Sequence, residues 1–402
     1  METWARCPCY DQMHISTSPM DSGTSIKAIL ARQRLDTGRD LWERRLQEVT
    51  VREVEAALAS RAGSYSLLKL LALVSPAAED YLEQMAEVSR KLTLQRFGRT
   101  IRLYAPLYLS SYCVNRCQYC GFNRDNTFAR VRLSADEAVA EAEILAREGF
   151  RDILLVTSED RQFISVSYLT NLAKALRGKF SFIGAEIYQM TAPDYRELFH
   201  AGIEGITLYQ ETYDRDAYAR YHLGGPKADY DTRLRGPDDF ASAGMREIGL
   251  APLLGLADWR IETLALGEHA YHLFRRYWQS RISFSFPRLR PACGVPTEKF
   301  PHVVTDKNLV QMMLALRLCF ADAGLVLSTR EPADLRDRLV KLGITKISAG
   351  SRTSPGGYSH DHENAGQFEV SDERNAADVV AMLKRQGLEP VWKDWDRAFL
   401  SV

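Results

Sequence analysis

The chain has 402 residues, of which 46% are hydrophobic and 26% are charged, so it is long enough for one large α/β barrel with additions. Its 52 basic and 52 acidic residues balance, which argues against a nucleic-acid-binding protein, because such proteins carry a basic excess. No apolar run reaches the roughly 18 residues of a membrane span, and the first residues lack the apolar core of a signal peptide. We therefore expect a cytoplasmic protein.

The character of the predicted elements changes along the chain. Residues 1–25 are polar and irregular, which predicts a flexible N-terminus. Residues 26–97 place apolar side chains at three- and four-residue spacing, which predicts a helical extension. Strand-like runs alternate with amphipathic helices over residues 98–351. Residues 352–402 then predict a loop, one short helix and an aromatic tail packed on the preceding domain.

Eight strand-like runs lie within residues 98–351. They span residues 101–110, 152–158, 180–187, 205–210, 248–255, 281–286, 325–329 and 344–349. Strands that alternate with helices predict an all-parallel sheet, and a closed (β/α)8 barrel of the TIM type is the natural arrangement for eight of them. A doubly wound open sheet is the alternative.

Three of the seven cysteines lie together in the run CVNRCQYCGF, directly after the first predicted strand. Cys113, Cys117 and Cys120 have the spacing C-x3-C-x2-C. Thiolates select zinc, copper or iron–sulfur clusters, and a structural zinc site needs four protein ligands. Three thiolates on a [4Fe–4S] cube would instead leave one iron open for a substrate or cofactor. Structural zinc and a simple electron-transfer cluster remain the alternatives.

The other four cysteines receive no role from the sequence. Cys293 or Cys319 could supply a fourth ligand, but both lie far from the cysteine motif. The run around Cys319 predicts a helix in which a buried thiol is structural. Cys7 and Cys9 lie in the irregular N-terminus.

Polar residues follow the carboxyl ends of the predicted strands, where the functional residues of a (β/α)8 barrel gather. They are Glu159, Glu186, Gln210, Glu211, Arg288, Arg290, Arg330 and Ser348. This composition suits zwitterionic ligands, because ammonium groups pair with carboxylates and carboxylates pair with arginine forks. Structural explanations also exist. Arg288 and Glu211 could form an ion pair. Arg330 could pair with Glu331, and Glu159 could lie on a surface loop.

The run CVNRCQYC after a first barrel strand resembles the cysteine motif of radical S-adenosylmethionine (SAM) enzymes. From about residue 66 onward the chain also resembles the tyrosine lyases of thiamine biosynthesis, in the runs PLYLSSYCVNRCQYCGF, LLVTSED, LYQETYDRDAYARYHLGG, YWQSRISFSFPRLRPA, LSTREP, SPGGY and PVWKDWD. The tyrosine lyases of [FeFe]-hydrogenase maturation fit less well, because they carry a second C-terminal cysteine motif and no cysteine follows Cys319 here. The tryptophan lyases that form methylindolic acid lack the WKDWD ending.

The resemblance implies a [4Fe–4S] cluster and SAM as cofactors. It implies cleavage of the Cα–Cβ bond of L-tyrosine to 2-iminoacetate (dehydroglycine) and p-cresol, with SAM consumed to methionine and 5′-deoxyadenosine, for the thiazole of thiamine. It further implies flavodoxin or ferredoxin as the electron donor and thiazole synthase as a protein partner, with no role for nucleic acid or membrane. A structural metal-binding module is the non-enzymatic alternative.

The resemblance also assigns roles to individual residues. The run TSED matches the motif that binds the amino group of SAM, which implies Glu159, although Thr157 and Ser158 stand where many relatives have glycines. The other candidate cofactor contacts are Tyr119, Glu186, Gln210, Glu211, Arg288 and Arg290. Tyr119 would lie beside the adenine.

Three further residues are candidates for contact with the substrate. In LSTREP, Arg330 matches the position that binds the substrate carboxylate in related lyases. In ISAGS, Ser348 matches a hydroxyl that helps to hold the same substrate. Tyr108, five residues before Cys113, matches a tyrosine near the substrate amine.

Overall fold

The computed structural model describes residues 23–295, 299–359 and 365–393. Its strands are β1 (Thr100–Ser110), β2 (Asp152–Thr157), β3 (Phe182–Glu186), β4 (Gly205–Thr207), β5 (Glu247–Leu250), β6 (Arg281–Ser285), β7 (Gly324–Leu327), β8 (Lys346–Ser348) and β9 (Glu389–Val391). Cys7, Cys9 and most of the N-terminal segment that was predicted to be flexible lie outside the described residues. Within the described part of that segment, the Ser25 side chain caps the first helix.

The helices surround the strands and extend on both sides of them in sequence. They are α1 (Ile26–Gln33), α2 (Asp40–Glu48), α3 (Val51–Ala59), α4 (Leu67–Val74), α5 (Leu82–Phe97), α6 (Ala135–Arg147), α7 (Val166–Leu176), α8 (Ala192–Ala201), α9 (Arg215–Tyr221), α10 (Tyr230–Ser242), α11 (Trp259–Arg276), α12 (Asp306–Cys319), α13 (Ala333–Leu339) and α14 (Ala376–Arg385). Across the described residues, no helix is both long and apolar enough to cross a bilayer.

The strands form a closed parallel barrel, as predicted. Strands β2 to β8 follow one another in order, and β1 pairs with both β2 and β8, which closes the ring. The length of β1 makes this possible: Arg102–Tyr104 pair with β8, whereas Ala105–Ser110 pair with β2. The open-sheet alternative is therefore wrong.

The sequence prediction missed strand β9. It lies parallel to the first residues of β1, with Thr100 opposite Glu389 and Arg102 opposite Val391. Its middle residue is Pro390, which cannot donate to a ladder and is therefore confined to edge positions. A three-residue strand with a proline gives no alternation to detect.

The N-terminal helices pack on the outside of the barrel. Helix α4 has the sequence LLKLLALV, is buried along its whole length and lies against α11 and α12. The buried Lys69 is satisfied by the carbonyl oxygens of Arg61 and Ser64, at 2.8 and 3.2 Å. One hydrophobic core joins these helices to the barrel and to α14. The division into domains at residues 97 and 351 stays a prediction.

A network of charges fills the end of the barrel where the strands begin. The Arg102 guanidinium donates to Glu247 at 3.0 Å and to Asp152 at 2.5 Å. The Lys346 ammonium lies 3.0 Å from Asp152, and Arg281 donates to Glu247 at 2.6 Å. These charges pair with one another, as buried charges must, so they have a structural role. The carboxyl ends of the strands remain for a functional site.

Candidate active site

The loop after β1 carries the three clustered cysteines and is held from two sides. Its backbone pairs antiparallel with the segment after α9: Cys117 faces His222, and Arg116 N–H donates to the Gly224 carbonyl at 2.9 Å. Opposite, Gly121 N–H donates to the carbonyl oxygen of Gln367 at 3.3 Å. A Cβ atom at Gly121 would lie 2.7 Å from that oxygen. Only glycine permits this approach.

Cys113, Cys117 and Cys120 line one cavity at the barrel mouth, which encloses about 960 Å³ of atom-free space including its solvent-open part. Burial raises the pKa of Cys117 to about 12 and also raises the pKa of Cys120. These neutral thiols must lose their protons to bind iron, so cluster assembly releases protons and the iron offsets the charge of the thiolates.

The donor set of the cavity fits an iron–sulfur cluster. Of the other described cysteines, Cys293 is exposed and Cys319 is buried in α12, and neither lines the cavity. Within the described ranges, no three His, Cys, Asp or Glu side chains converge as the ligands of one ion would. In a cube each thiolate binds a different iron, so thiols spread over one cavity wall suit a cluster.

Glu159 lies directly beside the cysteine loop. Its side chain is buried, and its carboxylate accepts from Asn115 Nδ2 at 2.8 Å and from Arg161 Nε at 2.7 Å. The backbone N–H of Val114 donates to the Glu159 carbonyl at 3.1 Å. The surface-loop explanation for Glu159 is therefore wrong, and the carboxylate lines the cysteine cavity.

Glu186, at the end of β3, faces both this cavity and a second, deeper pocket inside the barrel. Burial raises the pKa of its carboxyl to about 7, although the nearby Arg330 offsets part of that effect. A half-buried carboxyl with a pKa near neutrality that lines a cavity is typical of a functional position.

Glu211 forms a cluster with two cations that the sequence prediction missed. Its carboxylate accepts from Lys227 Nζ at 2.6 Å and lies 3.7 Å from Arg233 Nη2. Burial alone would raise the pKa of Glu211, but these two cations outweigh burial and lower it. All three residues line the cavity. Lys227 directly follows the run LYQETYDRDAYARYHLGG and one proline, so extending that run would have included it.

Two predicted cofactor contacts lie away from the cavity. Gln210 is buried beyond the end of β4, does not line either cavity, and neither of its amide atoms has a hydrogen-bond partner among the described residues. Arg288 also lines neither cavity, because its guanidinium forks onto Glu331 and contacts Asp306 at 2.8 Å. The ion pair considered between Arg288 and Glu211 does not form.

Arg290 and Tyr119 do line the cavity. Arg290 Nη2 donates to Glu331 at 2.8 Å, while its buried Nε has no partner among the described residues. The Tyr119 hydroxyl lies 2.8 Å from His222 Nε2, and the Lys227 ammonium lies 5.6 Å from the centre of the Tyr119 ring. The Tyr119 ring therefore forms part of the cavity wall, and a cation lies beside it.

The deeper pocket brings together the three predicted substrate contacts, Tyr108, Arg330 and Ser348. The Arg330 guanidinium lies 3.4 Å from the centre of the Phe368 ring, and no hydrogen bond or ion pair joins it to a described side chain. Glu331 pairs instead with Arg288 and Arg290, which follow β6, so the Arg330–Glu331 pair does not form. Ser348 Oγ accepts from the Thr329 backbone N–H at 3.1 Å.

Two residues of the C-terminal segment complete the wall, and the sequence prediction missed both. Phe368 supports Arg330, as described, and lines both cavities. Gln367 accepts a hydrogen bond from the Tyr108 hydroxyl at 2.9 Å. Their run, AGQFEV, has no periodicity or motif that would have singled them out.

The sequence and the fold are similar to those of known proteins. Residues 107–266 match the model of the radical SAM superfamily, and residues 285–389 match the biotin and thiamin synthesis associated domain. The crystal structure of HydG, a maturase of the [FeFe]-hydrogenase, is 32% identical, covers 90% of this chain and 84% of its own, and superimposes with a TM-score of 0.82. Methylornithine synthase (PylB), 20% identical, covers 84% of this chain and 97% of its own, and shares the fold with a TM-score of 0.68.

The barrel and its three-thiol cavity are therefore those of a radical SAM enzyme, a class that uses a [4Fe–4S] cluster and SAM. The 2-iminoacetate synthase of Escherichia coli (strain K12) is 42% identical over 355 residues, which are 88% of this chain and 93% of that protein. The 2-iminoacetate synthase of Salmonella typhimurium is 42% identical over 353 residues, with the same coverage. The chain belongs to the family of the 2-iminoacetate synthases.

Proposed function

We propose that this enzyme cleaves the Cα–Cβ bond of L-tyrosine to 2-iminoacetate and p-cresol, consuming SAM to methionine and 5′-deoxyadenosine. The observation that carries the proposal is the pair of connected cavities. One holds three thiols, and the other holds an arginine without a carboxylate partner among the described residues. Glu186, Tyr209 and Arg330 line both cavities, so a cofactor in the first meets a substrate in the second.

Cys113, Cys117 and Cys120 would hold the cluster. When bound there together with SAM, the cluster would supply the radical chemistry that removes a hydrogen atom from the substrate amino group. The surrounding chain orients the reactants and excludes water. Burial of Cys117 and the close fit of Gly121 against Gln367 support that task.

The methionyl end of SAM carries one ammonium and one carboxylate. The buried Glu159 beside the cysteine loop suits the ammonium, and its position supports the role that the TSED motif implies. Arg290, whose Nε has no hydrogen-bond partner among the described residues, suits an anionic group. Tyr119 offers a ring for the adenine, and Glu186 and Glu211 offer carboxylates for the ribose. Gln210 and Arg288 receive no support as cofactor contacts from their positions.

The substrate is also a zwitterion. Arg330 offers a planar guanidinium that can donate two hydrogen bonds to the tyrosine carboxylate. Because the guanidinium is stacked on Phe368, the side chain loses less conformational entropy on binding. Ser348 and Tyr108 line the same pocket and offer hydroxyl groups to the substrate. Fixing one end of tyrosine in this way would hold the amino group towards the cofactor cavity.

The product imine hydrolyses easily, so its use in thiazole formation favours direct transfer. We propose thiazole synthase as the partner that receives it, and a flavodoxin or ferredoxin as the electron donor. Both would operate in the cytoplasm, where free thiols remain reduced.

The test is product analysis after anaerobic reconstitution with iron and sulfide. With SAM, dithionite and L-tyrosine we expect p-cresol and 5′-deoxyadenosine in equal amounts, and with L-tryptophan no cleavage. Cleavage of tryptophan but not tyrosine would identify a tryptophan lyase instead. No product together with one zinc per chain would leave a structural metal-binding module.

A further inference from the structure

Gln367 stands between the substrate pocket and the cluster cavity. Its amide Oε1 accepts from the Tyr108 hydroxyl at 2.9 Å, and its Nε2 lies 3.8 Å from Cys120 Sγ, within hydrogen-bonding range for sulfur. Tyr108 lines the substrate pocket, and Cys120 lines the cofactor cavity. One side chain therefore connects a substrate contact to a cluster ligand.

The segment around Gln367 is fixed at several points. Gln367 N–H donates to the Thr353 carbonyl at 2.9 Å, and its own carbonyl accepts from Gly121 N–H at 3.3 Å. Thr353 Oγ1 donates to the Phe368 carbonyl at 3.0 Å. A Cβ at Gly366 would lie 2.4 Å from Thr353 Oγ1, so a larger residue there would require Thr353 to shift. The backbone of Gln367 is thus held at both its N–H and its carbonyl.

The chemistry of the neighbours also sets which way the amide points. A thiolate bound to iron can only accept a hydrogen bond, so the amide nitrogen must face Cys120. The amide oxygen then faces Tyr108, whose hydroxyl can donate to it. Both contacts agree with one amide orientation. Reversing the amide would break the contact with Cys120, because its thiolate can only accept.

We propose that Gln367 is a positioning residue that raises the reduction potential of the cluster by donating its amide N–H to the Cys120 thiolate, with Tyr108 holding the amide in that orientation. Hydrogen bonds to cluster sulfurs are one of the means by which proteins set cluster potentials. The reduced cluster is more negatively charged, so a donor at its ligand stabilises it. The inference rests on the proposed function, since it needs the cluster on these three thiols.

The test compares the midpoint potentials of reconstituted variants, followed by the electron paramagnetic resonance signal of the reduced cluster. In Gln367→Leu we expect an unchanged iron content and a ratio of reduced to oxidised cluster about fivefold smaller at a fixed potential, the size of one net hydrogen bond. For a one-electron couple this is a shift of about 40 mV to more negative potential. Tyr108→Phe should shift the potential the same way by less, because the amide loses its orienting partner.

Gln386→Leu is the matched control. Gln386 also makes a side-chain amide hydrogen bond, to the Asp337 carbonyl at 2.7 Å, but it lies at the end of α14. Its loss should leave the potential unchanged. If Gln367→Leu does not retain the cluster, Gln367→Met keeps the length of the side chain and adds no charge but loses the donor, and its potential must also fall.

A wild-type potential in an iron-replete Gln367→Leu or Gln367→Met variant overturns the inference, as does an equal shift in Gln386→Leu. p-Cresol formation by the wild-type enzyme is measured in parallel. If the wild-type enzyme forms p-cresol while the potentials coincide, only the role of Gln367 fails. If it forms none, the proposed function fails as well.

Discussion

The role of Arg330 can be tested by replacing it with alanine. The guanidinium lies in the deeper pocket, is stacked on Phe368 at 3.4 Å and has no carboxylate partner among the described residues. Truncating one member of a buried charge pair costs about 2–5 kcal/mol. If Arg330 binds the tyrosine carboxylate, kcat/KM for L-tyrosine should therefore fall from about 30-fold to several thousand-fold in Arg330→Ala.

The assay is the initial rate of p-cresol formation at several tyrosine concentrations, with iron content and cluster absorbance measured on the same samples. Arg330→Lys should fall between wild type and Arg330→Ala, because lysine keeps the charge but loses the planar fork. Arg235→Ala is the control, since that side chain is 63% exposed on α10. It should behave as wild type.

Two results would refute the reasoning about Arg330. A kcat/KM within about threefold of wild type would mean that the guanidinium does not bind substrate charge, because even a weak charged hydrogen bond is worth more than that. Loss of the cluster spectrum in Arg330→Ala would place the residue among the structural groups instead.

Four further outcomes are expected from the structure. Cys293→Ala should retain about four irons per chain, as a [4Fe–4S] cluster requires. Iron analysis should show loss of the cluster in alanine variants of each of the three cavity thiols, Cys113, Cys117 and Cys120. Burial raises the pKa of Glu186 to about 7, so if its carboxylate binds SAM, affinity should rise as the pH passes upward through 7 and become flat in Glu186→Gln, by spectral titration. Asp372→Ala leaves the fully buried Arg336 without its carboxylate, so thermal denaturation should show a loss of about 3–5 kcal/mol, whereas the 71%-exposed Asp334→Ala should show none.

Local patterns account for what could be predicted from the sequence. The eight barrel strands were all located, because buried strands alternating with helices repeat a signal eight times. The three thiols lie within one short run, so their spacing alone indicates a shared site. Glu159 closely follows β2, and its backbone carbonyl accepts a hydrogen bond from Val114 in the cysteine loop.

What was missed depends on long-range contacts. Gln367 and Phe368 reach the cavity from a segment about 250 residues beyond the cysteine loop, and nothing in their run reports this. Gln210 was misplaced because β4 ends at Thr207, three residues before the predicted end. Arg288 and Arg290 look equivalent in sequence, and both pair with Glu331. Arg288 also pairs with Asp306, and only Arg290 lines the cavity.

The most direct measurement is a turnover of L-tyrosine in D2O, with the masses of p-cresol and 5′-deoxyadenosine determined together. Amino-group hydrogens exchange with solvent, whereas carbon-bound hydrogens do not on this timescale. The account therefore predicts p-cresol and a 5′-deoxyadenosine that has gained one deuterium at its methyl group. Absence of p-cresol, or 5′-deoxyadenosine without deuterium, would contradict cleavage of tyrosine that begins at its amino group.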